Sequence, residues 1–136
     1  MTPRDLELLK LRPEIPSAKV SDNMRSDEQF QNRTLRPIVK LQNDLLIEVF
    51  RNYIQKHKNA FHNFSIEKKI QFIENAIQRD IKFRNSLKGI IIGQFTIEEY
   101  LLYIANSSAL NKRMMNIVKE RILSNIQLLE DQLAHH

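Results

Sequence analysis

Between Thr34 and His57 the chain reads TLRPIVKLQNDLLIEVFRNYIQKH, and its apolar residues lie on almost every side of a helix. Ile38, Leu41, Leu45, Val49 and Tyr53 recur at the three- and four-residue spacing of one helical face. Val39, Leu46, Ile47, Phe50 and Ile54 carry the arc well past what a surface helix buries. Only Lys40, Asp44, Glu48, Arg51 and Gln55 are left as a narrow polar strip. A helix of this kind needs cover on several sides, from the rest of the chain or from a second copy of it.

The rest of the chain is suited to helices. All four prolines fall within the first 37 residues and only two glycines, Gly89 and Gly93, occur, so everything after Pro37 lacks the commonest helix breaker. A β-sandwich would need turn residues about every ten positions. At 136 residues, 42% hydrophobic and 27% charged, the chain has the size and balance of one globular domain. The absence of cysteine excludes disulfides, thiolate metal sites and a cysteine nucleophile, and suits a reducing compartment. Neither a secretory leader nor a run of about 18 apolar residues is present, so the expectation is a cytoplasmic protein without membrane contact.

Residues 1–29 hold three prolines, mixed charge and one apolar cluster, Leu6, Leu8, Leu9 and Leu11. They read as an extended arm, laid on the bundle or on a neighbour, or else as a loose tail, with Ser26-Asp27-Glu28 opening a short turn toward Phe30. Residues 30–133 read as the bundle domain. Its first helix begins at Thr34 as N-cap, tolerates Pro37 in its first turn and stops near Lys58. Phe61 and Phe64 of the following linker tuck under the bundle end. Ser65 caps a second helix whose line Ile66, Ile70, Ile73, Ile77, Ile81, Leu87 runs to about Lys88. The segment GIIIG after it is a last helical turn or a short extended link. Thr96 and Glu99 form a capping box, with Phe95 and Tyr100 at staple spacing, opening a short helix through Tyr103 or Ala105. Asn106, Ser107 and Ser108 then start a last long helix carrying Leu110, Met114, Ile117, Val118, Ile122, Leu128 and Leu129 to about Gln132, with Met115 at its edge. The expected architecture is all-α: an antiparallel bundle of three long helices and one short one, with the N-terminal arm.

Polar residues interrupt these stripes. Asp80 and Arg84 fall on the apolar line of the second helix, Arg121 and Asn125 on that of the last, and Gln42 on that of the first. A buried unpaired charge costs several kcal/mol, so these groups are expected to join in one network across the helix interface. In one reading Asp80 accepts from both arginines, Asn125 and Gln42 fill the remaining valences, and the cluster fixes helix register. In the other, two arginines against one aspartate leave a positive hole for a carboxylate or phosphate.

The basic excess lies in the middle, with six basic against two acidic residues over 30–64 and six against three over 65–95. Lys82, Lys88, Lys112 and Arg113 are candidates for a phosphate-facing patch or for ordinary solvated positions. His57 and His62 stand at no recognised ligand spacing and His135 and His136 read as a tail, so no metal or cofactor is expected. Glycine-rich phosphate loops and a GxSxG nucleophile motif are missing, and no catalytic residue is singled out.

Three stretches, LRPEIP (residues 11–16), TLRPIVKLQNDLL (34–46), and FRNSLKGIIIGQFTIEEY with NSSALNKRMMN (83–116), together resemble a small uncharacterised bacterial family over most of the chain. The resemblance implies an all-helical protein; some members carry the label glyoxalase, but the family implies no established chemistry. Glyoxalase chemistry calls for strand-borne His and Glu ligands or a histidine-rich motif, and neither pattern stands in this sequence.

Three functions follow as expectations. The first is a noncatalytic cytosolic module that self-associates, as a homodimer for example, or docks on a protein partner through Val39, Leu46, Phe50 and Ile54. The second is an RNA- or ribosome-associated protein using the basic patch. The third is an anion or enzyme site at Asp80, Arg84 and Arg121.

Overall fold

The computed structural model describes residues 1–57 and 60–134, and every regular element among them is helical. In order these are α1 (Pro3–Leu11), α2 (Ser26–Phe30), a π turn (Gln31–Leu35), α3 (Arg36–Leu41), α4 (Asn43–Lys56) and a 3-10 turn (Ala60–Asn63). Then come α5 (Ile66–Gln78), α6 (Ile81–Ile92), α7 (Ile97–Ile104), α8 (Ser107–Ser124) and α9 (Ile126–Ala134).

Each helix expected to be long is broken, and the breaks have local causes. The first starts at Ser26 rather than Thr34. Pro37 lies inside a continuous helical run, where it lacks a donor and would crowd the carbonyl four residues back. The π turn before it, closed by the Arg36 amide on the Gln31 carbonyl, opens the helix there. Thr34 is therefore no cap but a buried hydroxyl. At Gln42 the backbone leaves helical values (φ −88°, ψ 7°) and α4 restarts. The helix ends at Lys56; the expected stop at Lys58, the linker residue Asn59 and the tail His135-His136 lie outside the described residues.

The second helix breaks at Asp80, whose extended backbone (φ −82°, ψ 95°) and side chain cap α6 at the Phe83 amide. The straight apolar line from Ile77 to Ile81 is thereby lost, and Ile81 is exposed. The last helix breaks at Asn125. Three capping expectations hold at Ser65, Thr96 and Glu99, the last two with both arms of the capping box made.

α8 is the element on which the others converge, touching α2, α3, α4, α5, α6, α7 and the π turn. Its buried residues Leu110, Met114, Met115, Ile117, Val118 and Ile122 lie around the helix, so Met115 belongs to the core like Met114. α4 turns Leu46, Ile47, Phe50 and Ile54 into the same core while Leu45 is half exposed. Burying Leu46, Phe50 and Ile54 fully contributes about 1.5–3 kcal/mol each. Arg51 donates to the Leu128 carbonyl at 2.9 Å and joins α4 to α9.

Candidate interaction surface

The first part of the expected extended arm, Pro3–Leu11, forms a capped helix, and residues 12–25 follow as irregular chain. Thr2 accepts from the Asp5 amide at 3.1 Å and Pro3 takes the first turn, where no amide partner is needed. This helix is fastened to the N-terminus of α7 by four charged side chains. Arg4 donates to the carbonyls of Phe95 (2.9 Å) and Gly93 (3.0 Å), and the buried Asp5 accepts from the Ile97 amide at 3.0 Å. Arg12 grips Glu99 through both terminal nitrogens, at 2.6 and 2.5 Å, and one of them also donates to the Gln94 carbonyl at 2.9 Å. Glu99 also accepts from Thr34 Oγ1 (2.8 Å) and the Thr96 amide (2.8 Å). Burial alone would push the Glu99 carboxyl up; Arg12, the Thr96 amide and Thr34 outweigh it and hold the carboxyl below its ordinary range. Both acids lie at the positive end of α7, where the helix dipole favours them.

The clasp fixes which way α7 faces. Phe95 packs edge-on against Phe30 and Tyr103, at 5.5 and 5.6 Å between ring centres, and Tyr103 donates to Asn111 at 2.6 Å. Tyr100, expected to staple Phe95, points away. Ile97, Tyr100, Leu101 and Ile104 occupy positions i, i+3, i+4 and i+7 of the opposite face and are 54%, 45%, 57% and 52% exposed. Their neighbour Leu102 is equally open and lines a cavity of about 600 Å³ with Leu9 of α1. The stripe carries no charge, and of the two acids at the start of α7 only Glu98 is exposed.

The residues expected to act lie elsewhere. Val39, Leu46, Phe50 and Ile54 are buried within the chain itself and so offer no docking face; α8 and its neighbours supply the cover that helix needs. The expected polar network is not formed. Asp80 accepts from Tyr53 Oη (2.7 Å) and the Phe83 amide (3.2 Å), contacts that keep its carboxyl below the ordinary range. Tyr53 in turn is raised by burial and by Asp80. Arg84 donates to the Ile77 carbonyl at 3.4 Å, Gln42 to that of Ile90 at 3.2 Å, and Asn125 to that of Arg121 at 2.8 Å. Asp80, Arg84, Gln42 and Asn125 thus each satisfy a backbone group at or near a helix break, which a helix drawn without breaks does not reveal, while Arg121 lines a separate cavity beside α8. Of the basic candidates, Lys82 and Lys112 are exposed and Lys88 is half-buried. Arg113 is committed to Asp27 (3.1 Å) and Gln31 (2.7 Å) and leaves the proposed patch. Among the described residues no group of three His, Cys, Asp or Glu gathers to hold a metal, and no helix is long and apolar enough to cross a membrane.

No protein-family model matches the chain, and neither a curated protein nor a solved structure does.

Proposed function

We propose that the chain is a noncatalytic helical interaction module that self-associates through the outward stripe of α7. The observation that carries this reading is the stripe itself: Ile97, Tyr100, Leu101 and Ile104 at helix-pairing spacing, held outward by the buried Arg12–Glu99 pair and the Asp5 carboxylate on the Ile97 amide. With about half of each side chain open, these four present on the order of 400 Å², within the range of the largest apolar patches that monomers carry. Two such faces together remove about 800–900 Å² from water, the size of a weak, reversible interface, which is why pairing is expected only at high micromolar concentration.

A second copy fits because the stripe is uncharged and nearly self-complementary. In an antiparallel pair related by a two-fold axis, Ile97 meets Ile104 of the partner helix and Tyr100 meets Leu101, with Glu98 kept apart at opposite ends. Sedimentation velocity over a concentration series tests this. The wild-type chain should reach twice its 16.1 kDa at high micromolar concentration, while Leu101→Lys with Ile104→Lys stays at 16.1 kDa with its melting temperature little changed. A wild type of 16.1 kDa throughout, or a variant that assembles as the wild type does, overturns the reading.

A further inference from the structure

A second cavity, of about 540 Å³, lies between the coil after α1, the segment from α2 to α3, and α8. Its two cations, Arg36 and Arg121, come from different helices, and among the described residues neither is in an ion pair. The amide side chains around them have their oxygens occupied. Asn32 Oδ1 accepts from Arg36 Nε at 3.3 Å and Asn32 Nδ2 donates to the Lys19 carbonyl at 3.0 Å. Gln31 Oε1 accepts from Arg113, which is itself anchored on Asp27. Among the described residues, the donors of the lining without a hydrogen-bond partner are the terminal nitrogens of Arg36, the guanidinium of Arg121, Gln31 Nε2 and the Ser17 hydroxyl. Glu28 is the one carboxylate in the lining.

Two guanidinium forks against one carboxylate attract an anion, and forks on separate walls suit a group with several acceptor oxygens more than a single carboxylate. The volume lies in the range of small-molecule sites, and the lining is predominantly polar. Gln31, Asn32 and Arg36 belong to the π turn and the residue after it, a type of irregularity that recurs at functional sites. We propose that this cavity binds a phosphate monoester carried on a small polar body, its phosphate held between Arg36 and Arg121. The site is independent of the α7 surface.

Titration calorimetry on the full chain at low salt, with glucose 6-phosphate, inorganic phosphate and glucose as probes, tests the assignment. Glucose 6-phosphate should bind more tightly than inorganic phosphate, and glucose should not bind. Arg121→Gln and Arg36→Gln should each weaken binding about tenfold or more, because each removes a charged hydrogen-bond partner. Glu28→Gln should tighten it, because it removes the opposing charge. Among the described residues the Arg121 side chain makes no hydrogen bond or ion pair, so its variant should keep the wild-type circular dichroism spectrum. Three results would each overturn the proposal: no heat from glucose 6-phosphate up to about 10 mM, a weakness well below any specific site; affinity unchanged in both arginine variants; or glucose 6-phosphate no tighter than inorganic phosphate.

Discussion

Replacing Arg12 by alanine removes the strongest tie between α1 and the rest of the fold. Arg12 and Glu99 have side chains only 8% and 12% exposed, and the substitution deletes two charged hydrogen bonds to Glu99 and one to the Gln94 carbonyl. Breaking a buried ion pair by removing one partner costs about 3–5 kcal/mol. Two features place the effect at the lower end. Glu99 keeps Thr34 and the Thr96 amide, and once α1 lifts away water reaches the carboxylate, so the loss cannot exceed what docking of α1 contributes. The expected destabilisation is about 3 kcal/mol, a drop of roughly 10 °C in melting temperature for a chain of this length. Urea denaturation followed by circular dichroism measures it, and a reduced dependence on urea would report that α1 has already detached in the native variant. Glu99→Gln in the Arg12→Ala background should add less than it does alone. A loss below about 0.5 kcal/mol, or full additivity of the two changes, would refute the clasp.

Other consequences follow from the same structure. Phe50→Ala should cost about 3–5 kcal/mol in the monomer, because Phe50 is fully buried and packs edge-on against Phe83; a near-neutral result in chemical denaturation would return Phe50 to the surface. The carboxyls of Glu99, Asp27 and Asp80 are all held below their ordinary values, so folding favours their charged forms. Their contribution is complete at neutral pH and is lost as pH falls below about 4 through the folded-state values. Thermal melts of Glu99→Gln should therefore show a lower plateau at pH 7 and a shallower acid limb; an acid limb as steep as the wild type's would count against Glu99 as a contributor.

The sequence is most informative where a signal is confined to one turn. Thr96 with Glu99, and Ser65 before Ile66, fix their helix starts because each cap needs only neighbours three residues away. The apolar belt of the first helix correctly demands cover, but the cover comes from α8, whose central place is written only in the doublets Met114-Met115 and Ile117-Val118. Wheel reasoning fails across the breaks at Gln42, Asp80 and Asn125, since a change of direction there rotates every later residue relative to the earlier ones. Asp80, Arg84 and Arg121 would share one face only if those helices ran straight, and the breaks at Asp80 and Asn125 separate them. Arg12, which completes the clasp, has no local signal, because its partner Glu99 is 87 residues away. α7 was legible in principle: IEEYLLYI is apolar on nearly every side, the same sign read at the first helix, and here the chain itself leaves one side uncovered.

Pairing of α7 with α7 can be trapped covalently, since the natural chain has no cysteine. In the antiparallel arrangement Leu101 lies beside the two-fold axis, within the reach of a disulfide, whereas the half-exposed Leu45 on α4 lies off the stripe. The decisive measurement is the yield of covalent dimer after mild oxidation of the Leu101→Cys and Leu45→Cys variants. Rapid cross-linking at position 101 with little at position 45 is the predicted result; equal yields at the two positions, or none at position 101, would contradict self-association through α7.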